Sequence, residues 1–236
     1  MRGRQSDGQA AAQGRLLARP ARPARPAGEA AAGFQPLGLD GERDGERDGI
    51  LYVPEGYRAD QRAPFVLTLH GAGGDTHGGL APLLPLADAY GLILLAPDAR
   101  GGTWDVIRGR YGPDIAFIDR ALAQTFDRCA VDPARLAIGG FSDGASYALS
   151  AGLTNGDLFT HVIAFSPGFM APGVQTGAPR IFISHGVRDE VLPIDVCSRR
   201  IVPRLEQAGY DVTYREFDGP HTVPPEISRE AVGWFT

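Results

Sequence analysis

Three residue types, met in one chain order, could do nucleophilic acyl chemistry: Ser142, Asp189 and His221. Ser142 sits in Gly140-Phe141-Ser142-Asp143-Gly144, a Gly-x-Ser-x-Gly pentapeptide. The apolar run Arg135–Gly139 precedes it, and Ala145–Leu153 has helix-forming composition. That context predicts a sharp strand-to-helix turn presenting the serine hydroxyl. The flanking glycines suit a turn where side chains would collide with the neighbouring strand and helix. A helix starting just after Ser142 would place partial positive charge where an oxyanion forms. A serine hydroxyl is a weak nucleophile alone, so the chemistry also needs a base, an orienting acid and two oxyanion donors.

Each has a candidate. Pro64–His70 reads as a buried strand running into Gly71-Ala72-Gly73-Gly74. Such a loop exposes backbone N–H groups, and those of Ala72 and Asp143 are the expected oxyanion donors. It is no P-loop, since no Gly-Lys-Ser/Thr follows and the chain has no lysine. Ile181–Ser184 is a second buried-strand pattern, with Asp189 in the loop beyond it. Asp189 is the expected acid that fixes the histidine tautomer. A helix cap near Ile194 is the competing role, better filled by Asp195. His221 follows the strand-like Val212–Phe217 in a Gly-Pro loop and is the expected base. His70 and His185 end strands and read as loop-packing residues; His77 lies in a polar loop and His161 begins a strand.

These residues need a frame. Strand patterns fall near 50–53, 64–70, 92–96, 135–140, 161–165, 180–184 and 211–217. Helical patterns fall near 80–90, 113–128, 143–154, 195–208 and 225–235. Their alternation predicts a mostly parallel central sheet with helices on both faces, and ligands beyond the carboxyl ends of the strands. All the candidate residues sit at that edge. Only 166–179 is available for an inserted cap, too few residues for a cap domain, so the expected site is open. Trp104, Phe169 and Met170 are its expected substrate-binding walls. Phe141 is expected in the core beneath the turn.

The chain resembles the small α/β-hydrolase esterases of the phospholipase/carboxylesterase and dienelactone-hydrolase type, and is similar to polyhydroxyalkanoate-depolymerase-like esterases. The likeness is carried by Leu69–Gly74, Ala96–Trp104, Gly140–Gly144, His185-Gly186 with Asp189 and Pro193, and His221. It spans about residues 49 to 236. Asp143 stands where the phospholipase/carboxylesterase family usually has glutamine, and Pro220 where a glycine usually precedes the histidine. Dienelactone hydrolases carry a cysteine nucleophile where this chain has Ser142. The resemblance implies an α/β-hydrolase fold without a cap, Ser142 as nucleophile, Asp189 as acid and His221 as base. It implies a carboxylic-ester hydrolase needing no cofactor or metal, acting on short-chain or accessible esters, including polyesters. A thioesterase or acyl-peptide hydrolase with the same triad is the alternative enzyme reading, and a non-catalytic binding protein on this fold the third. With a neutral imidazole as base, activity is expected to rise with pH through roughly 6–7.

The gross numbers agree with one domain. Of 236 residues, 1–33 form an Ala/Arg/Pro-rich leader expected to be disordered, and 34–236 the catalytic domain. Ala18–Pro26 repeats Ala-Arg-Pro three times, a pattern that favours extended polyproline II. The leader reads as a solvated segment or as an electrostatic tether to an anionic surface. Gly41–Asp44 recurs as Gly45–Asp48, a duplication expected in a hairpin loop. A net charge of −5 argues against nucleic acid as partner. No apolar run is long enough to span a membrane and no signal-peptide core precedes the body, so a cytoplasmic location is expected. Cys129 and Cys197 are expected as free, partly buried thiols, with a single disulfide between them the alternative.

Overall fold

Alternate residues of each apolar run sort onto opposite faces of one sheet. The computed structural model describes residues 8–20, 30–39 and 48–236. Among these, eight strands pair: β1 (Gly33–Pro36), β2 (Gly49–Val53), β3 (Ala63–Leu69), β4 (Ile93–Pro97), β5 (Val131–Phe141), β6 (His161–Phe165), β7 (Arg180–Gly186) and β8 (Val212–Phe217). Their order is β1-β2-β4-β3-β5-β6-β7-β8. β1 and β2 run antiparallel at one edge and every other pairing is parallel.

Besides a helical segment at 8–12, the helices are α1 (Thr76–Leu80), α2 (Ala87–Tyr90), α3 (Pro113–Arg128), α4 (Asp143–Thr154), α5 (Ser198–Gln207) and α6 (Pro225–Phe235). Phe65, Leu67 and Leu69 of β3 share one core cluster with Ile115, Ala145 and Ile201 of α3, α4 and α5. Val66 of the same strand joins the opposite cluster with Leu80, Ala87 and Ile227 of α1, α2 and α6. The strands are thus buried on both faces, as parallel sheets require. The segment 166–179 holds no helix or regular strand, so no cap domain stands between β6 and β7.

α3, α4 and α6 take the expected bounds. The helix expected over 80–90 is instead two short helices around a 3-10 turn at Leu84–Leu86. Pro82 and Pro85 supply no N–H to a continuous helical ladder there. α5 begins at Ser198, so Asp195 does not cap it; the Asp195 carboxylate pairs with Arg199 at 2.7 Å. Edge strand β1 was not expected, because its four residues show too little alternation to register.

The expectation of a disordered leader does not hold for residues 8–20. Leu16 is fully buried, and Asn155 clamps the backbone beside it: Asn155 Oδ1 accepts from Leu16 N–H at 2.9 Å and Nδ2 donates to the Gly14 carbonyl at 2.8 Å. Arg15 grips Asp157 through both terminal nitrogens at 2.9 Å, and Arg19 reaches the same carboxylate at 2.6 Å. One buried leucine and a two-arginine clasp order this stretch where composition alone offers nothing. The second and third Ala-Arg-Pro repeats, and all of the Gly-Glu-Arg-Asp duplication except Asp48, lie outside the described residues.

Cys129 and Cys197 are free and buried. Burial pushes the Cys129 thiol up to about 11, so it stays protonated. Among the described residues no helix is long and apolar enough to cross a membrane.

Candidate active site

The turn at Ser142 is as tight as the glycines imply. A Cβ at Gly144 would stand 2.2 Å from the Leu69 carbonyl oxygen, and one at Gly140 would stand 2.5 Å from the Gly144 carbonyl carbon. Any side chain at either position would force β3, β5 and α4 apart. Ser142 has φ 59 and ψ −120, a conformation rare for a residue with a Cβ. Its N–H donates to the Phe165 carbonyl at 2.9 Å, and its own carbonyl accepts from Ser146 N–H at 3.0 Å. The strand on one side and the helix on the other hold the strain, which costs about 1–3 kcal/mol.

His221 Nε2 lies 2.9 Å from Ser142 Oγ, and His221 Nδ1 lies 2.5 Å from Asp189 Oδ2. The carboxylate accepts, so Nδ1 carries the proton and Nε2 is left to accept from the serine hydroxyl. Residues 79 and 32 positions from His221 are thereby brought to one ring. Backbone bonds between the two late loops set this up: Val187 N–H donates to the Phe217 carbonyl and Arg188 N–H to the Gly219 carbonyl. A Cβ at Gly186 would meet the Gly219 oxygen at 2.4 Å, so glycine permits that approach. The Phe141 ring lies 4.6 Å from the His221 ring at 35°. Phe141 is only partly buried and backs the imidazole instead of sitting wholly in the core.

Asp189 is fully enclosed and its oxygens are well supplied. Oδ1 accepts from the N–H groups of Val191 at 3.0 Å and Leu192 at 2.8 Å. Oδ2 takes His221 and stands 3.2 Å from His185 Nε2. His185 itself is buried; Ser198 Oγ bonds Nδ1 at 2.7 Å and Nε2 faces the Leu192 carbonyl at 2.8 Å. Burial lowers the His185 pKa and keeps the ring neutral. His70 is likewise buried and packs a loop: Nδ1 bonds the Gly71 carbonyl at 2.7 Å, and Nε2 accepts from Ala99 N–H at 3.0 Å.

The segments that carry the two expected oxyanion donors both border Ser142. A Cβ on Gly71 would come within 3.4 Å of Ser142 Cβ, so the Gly71–Gly74 loop lies against the serine. Asp143 opens α4. Neither the Ala72 nor the Asp143 N–H donates to another group among the described residues.

Trp104 does not wall the site. It is 1% exposed, its Nε1 donates to the His70 carbonyl at 2.9 Å, and its ring packs on His70 and Tyr147. A tryptophan in a Gly-rich loop has the same local pattern whether it faces solvent or core; here the indole N–H finds its partner inside. Phe169 and Met170 are partly buried against the core cluster. Their loop is tied to α4 by a row of hydroxyls. Gly168 N–H donates to Ser146 Oγ, Ala171 N–H to Ser150 Oγ and Gly173 N–H to Thr154 Oγ1, each at 2.9 Å. Each hydroxyl in turn donates to the carbonyl four residues earlier. Sequence reasoning missed this row, although the four-residue spacing of Ser142, Ser146, Ser150 and Thr154 was its visible signal.

Sheet order and the strained turn at Ser142 fit an α/β-hydrolase fold. Residues 114–230 match the phospholipase/carboxylesterase family. A probable feruloyl esterase C of Aspergillus oryzae is 29% identical over 177 residues, covering 70% of this chain and 64% of that protein. The chain therefore spans less than two thirds of the length of this curated relative. Among solved structures, esterase PE8 superposes with a TM-score of 0.65 at 24% identity, covering 80% of this chain and 97% of that one. A ferulic acid esterase from Anaeromyces mucronatus, in complex with ferulic acid, superposes with a TM-score of 0.60 at 19% identity, covering 80% and 84%.

Proposed function

We propose that this chain is a serine carboxylic-ester hydrolase working through Ser142, His221 and Asp189 by way of an acyl-enzyme. The observation that carries the reading is the single ring that lies 2.9 Å from a strained serine hydroxyl and 2.5 Å from a buried carboxylate. Ser142 Oγ attacks the ester carbonyl as His221 Nε2 takes its proton. Asp189 keeps the proton on Nδ1 and stabilises the imidazolium that forms. The Ala72 and Asp143 N–H groups receive the oxyanion, a contribution of about 3–4 kcal/mol per donor. The imidazolium gives its proton to the leaving alcohol; His221 then activates water to release the acid and regenerate Ser142.

Without a cap, the site suits short-chain or accessible esters, polyester chains included. A second, narrower reading is an aromatic acyl ester of the feruloyl kind, favoured by the feruloyl esterase likeness. Phe169 and Met170 are the proposed walls for the acyl or alcohol group. Initial rates on p-nitrophenyl esters from acetate to palmitate, with methyl ferulate alongside, test this for wild type and Ser142→Ala. Turnover lost in the variant supports the reading, and the preferred ester sets the substrate class. Turnover on thioesters or acyl-peptides alone would move it to the alternative enzymes.

A further inference from the structure

The two proposed oxyanion donors, in the Gly71–Gly74 loop and at the start of α4, lie far apart in sequence, and one further loop touches the segments of both. Residues 98–104 follow β4 and run beside the Gly71–Gly74 loop. Gly73 N–H donates to the Gly102 carbonyl at 2.8 Å. Ala99 N–H donates to His70 and Trp104 Nε1 to the His70 carbonyl, so the base of the Ala72 loop is pinned from the same side. At the other end, Thr103 Oγ1 donates to Asp143 Oδ2 at 2.6 Å, across 40 residues of sequence. Asp143 is the residue proposed above to supply an oxyanion N–H, and its side chain makes no other hydrogen bond among the described residues.

The outer end of the loop is itself fastened. Arg100 N–H and Asp105 N–H donate to the two oxygens of buried Asp114 at 2.5 and 2.6 Å. Asp105 Oδ2 accepts from the N–H groups of Gly112 and Asp114 at 2.8 and 2.9 Å. The 98–105 stretch is thus anchored on α3, with one hydroxyl reaching forward to the start of α4.

We propose that Thr103 is a positioning residue for the oxyanion hole: its hydroxyl, through Asp143, fixes the Asp143 N–H relative to the Ala72 loop that the same stretch holds through Gly102. This rests on the esterase reading above. Two donors serve a tetrahedral oxyanion only if their separation is set before the reaction, and a shift of about 1 Å can cost on the order of 100-fold. Asp143 can make this tie because its carboxylate accepts the hydroxyl while its N–H stays free for substrate.

The test uses Thr103→Val, which keeps the shape and removes the hydroxyl, and Thr103→Ser, which keeps the hydroxyl. On a short p-nitrophenyl ester, Thr103→Val should lower kcat about tenfold while KM stays within about twofold. Affinity for a trifluoromethyl ketone, which forms the tetrahedral adduct, should weaken in parallel with kcat/KM. Thr103→Ser should recover most of the loss, and both variants should melt within about 2 °C of wild type. Wild-type kcat in Thr103→Val would overturn the proposal. So would a loss that follows thermal stability and is not rescued by serine. Absence of ester turnover in the wild type itself would instead sink the esterase reading.

Discussion

Ser142 just before helix α4 and Ser146, Ser150 and Thr154 within it carry hydroxyls at four-residue spacing, and the first behaves unlike the other three. Ser146, Ser150 and Thr154 are buried, donate back to the preceding turn and accept from the 168–173 loop. Their hydrogen-bonding capacity is spent on structure. Ser142 precedes the helix at φ 59, outside the geometry that lets a serine bond back four residues, and its hydroxyl meets His221. The same residue type therefore serves as scaffold or proposed nucleophile according to backbone conformation alone. The reactivity proposed for Ser142 is a property of the turn, which the strand before it and the helix after it hold in place.

This contrast can be broken at either end. The largest effect is expected at Ser142: Ser142→Ala should lower kcat by about 10⁴-fold or more, with a circular dichroism spectrum unchanged. Next is the turn that imposes the strain. Gly144→Ala would drive a methyl to 2.2 Å from the Leu69 oxygen, and a loss of about 3 kcal/mol is expected by urea denaturation, with activity falling too. An alanine tolerated there would mean the turn is looser than described.

A third prediction separates the stability of the body from the chemistry of the site. His161 is buried between Trp234 and Phe235, and burial, aided by the nearby Arg180 charge, lowers its pKa to about 4. The unfolded chain takes up this proton near pH 6.5, the folded one only near 4. The stabilisation is thus complete above 6.5 and lost as pH falls, by about 3 kcal/mol in full. His185 acts in the same direction. Asp105 opposes both: burial, then the Asp114 charge, pushes its carboxyl up to about 6, so ionisation costs stability as pH rises through 4–6. Urea midpoints at pH 7.5 and 4.5 should therefore differ less in His161→Phe than in wild type. Equal differences would remove His161 from the account.

The smallest effect is expected from the structural hydroxyls. Ser150→Ala leaves the Ala171 N–H without its acceptor and should cost about 1 kcal/mol, with kcat on a short ester within about threefold of wild type. A large kcat loss there would erase the distinction between the two kinds of hydroxyl.

Much of this was legible before any coordinates, for a physical reason. The proposed triad, the glycine turn and three helices rest on local rules: hydrophobic period, glycine at a forbidden approach, chain order. What escaped rests on distant partners. Nothing near Leu16 says that Asn155 will clamp its backbone, so an Ala/Arg/Pro composition read as wholly disordered. Trp104 went to the core, and Phe141 backs the His221 ring, because where a loop aromatic lands depends on strands not adjacent in sequence. Thr103 is one hydroxyl in a glycine run, and only the folded chain reveals Asp143 beside it. The 98–105 stretch is held by bonds to Asp114, His70 and Asp143, none within its own window.

The most direct test of the central claim is fluorophosphonate labelling followed by peptide mass mapping, run beside ester turnover. One adduct per chain on the Ser142 peptide is predicted, with labelling and turnover both lost in Ser142→Ala. An adduct elsewhere, or turnover that survives Ser142→Ala, would contradict the account.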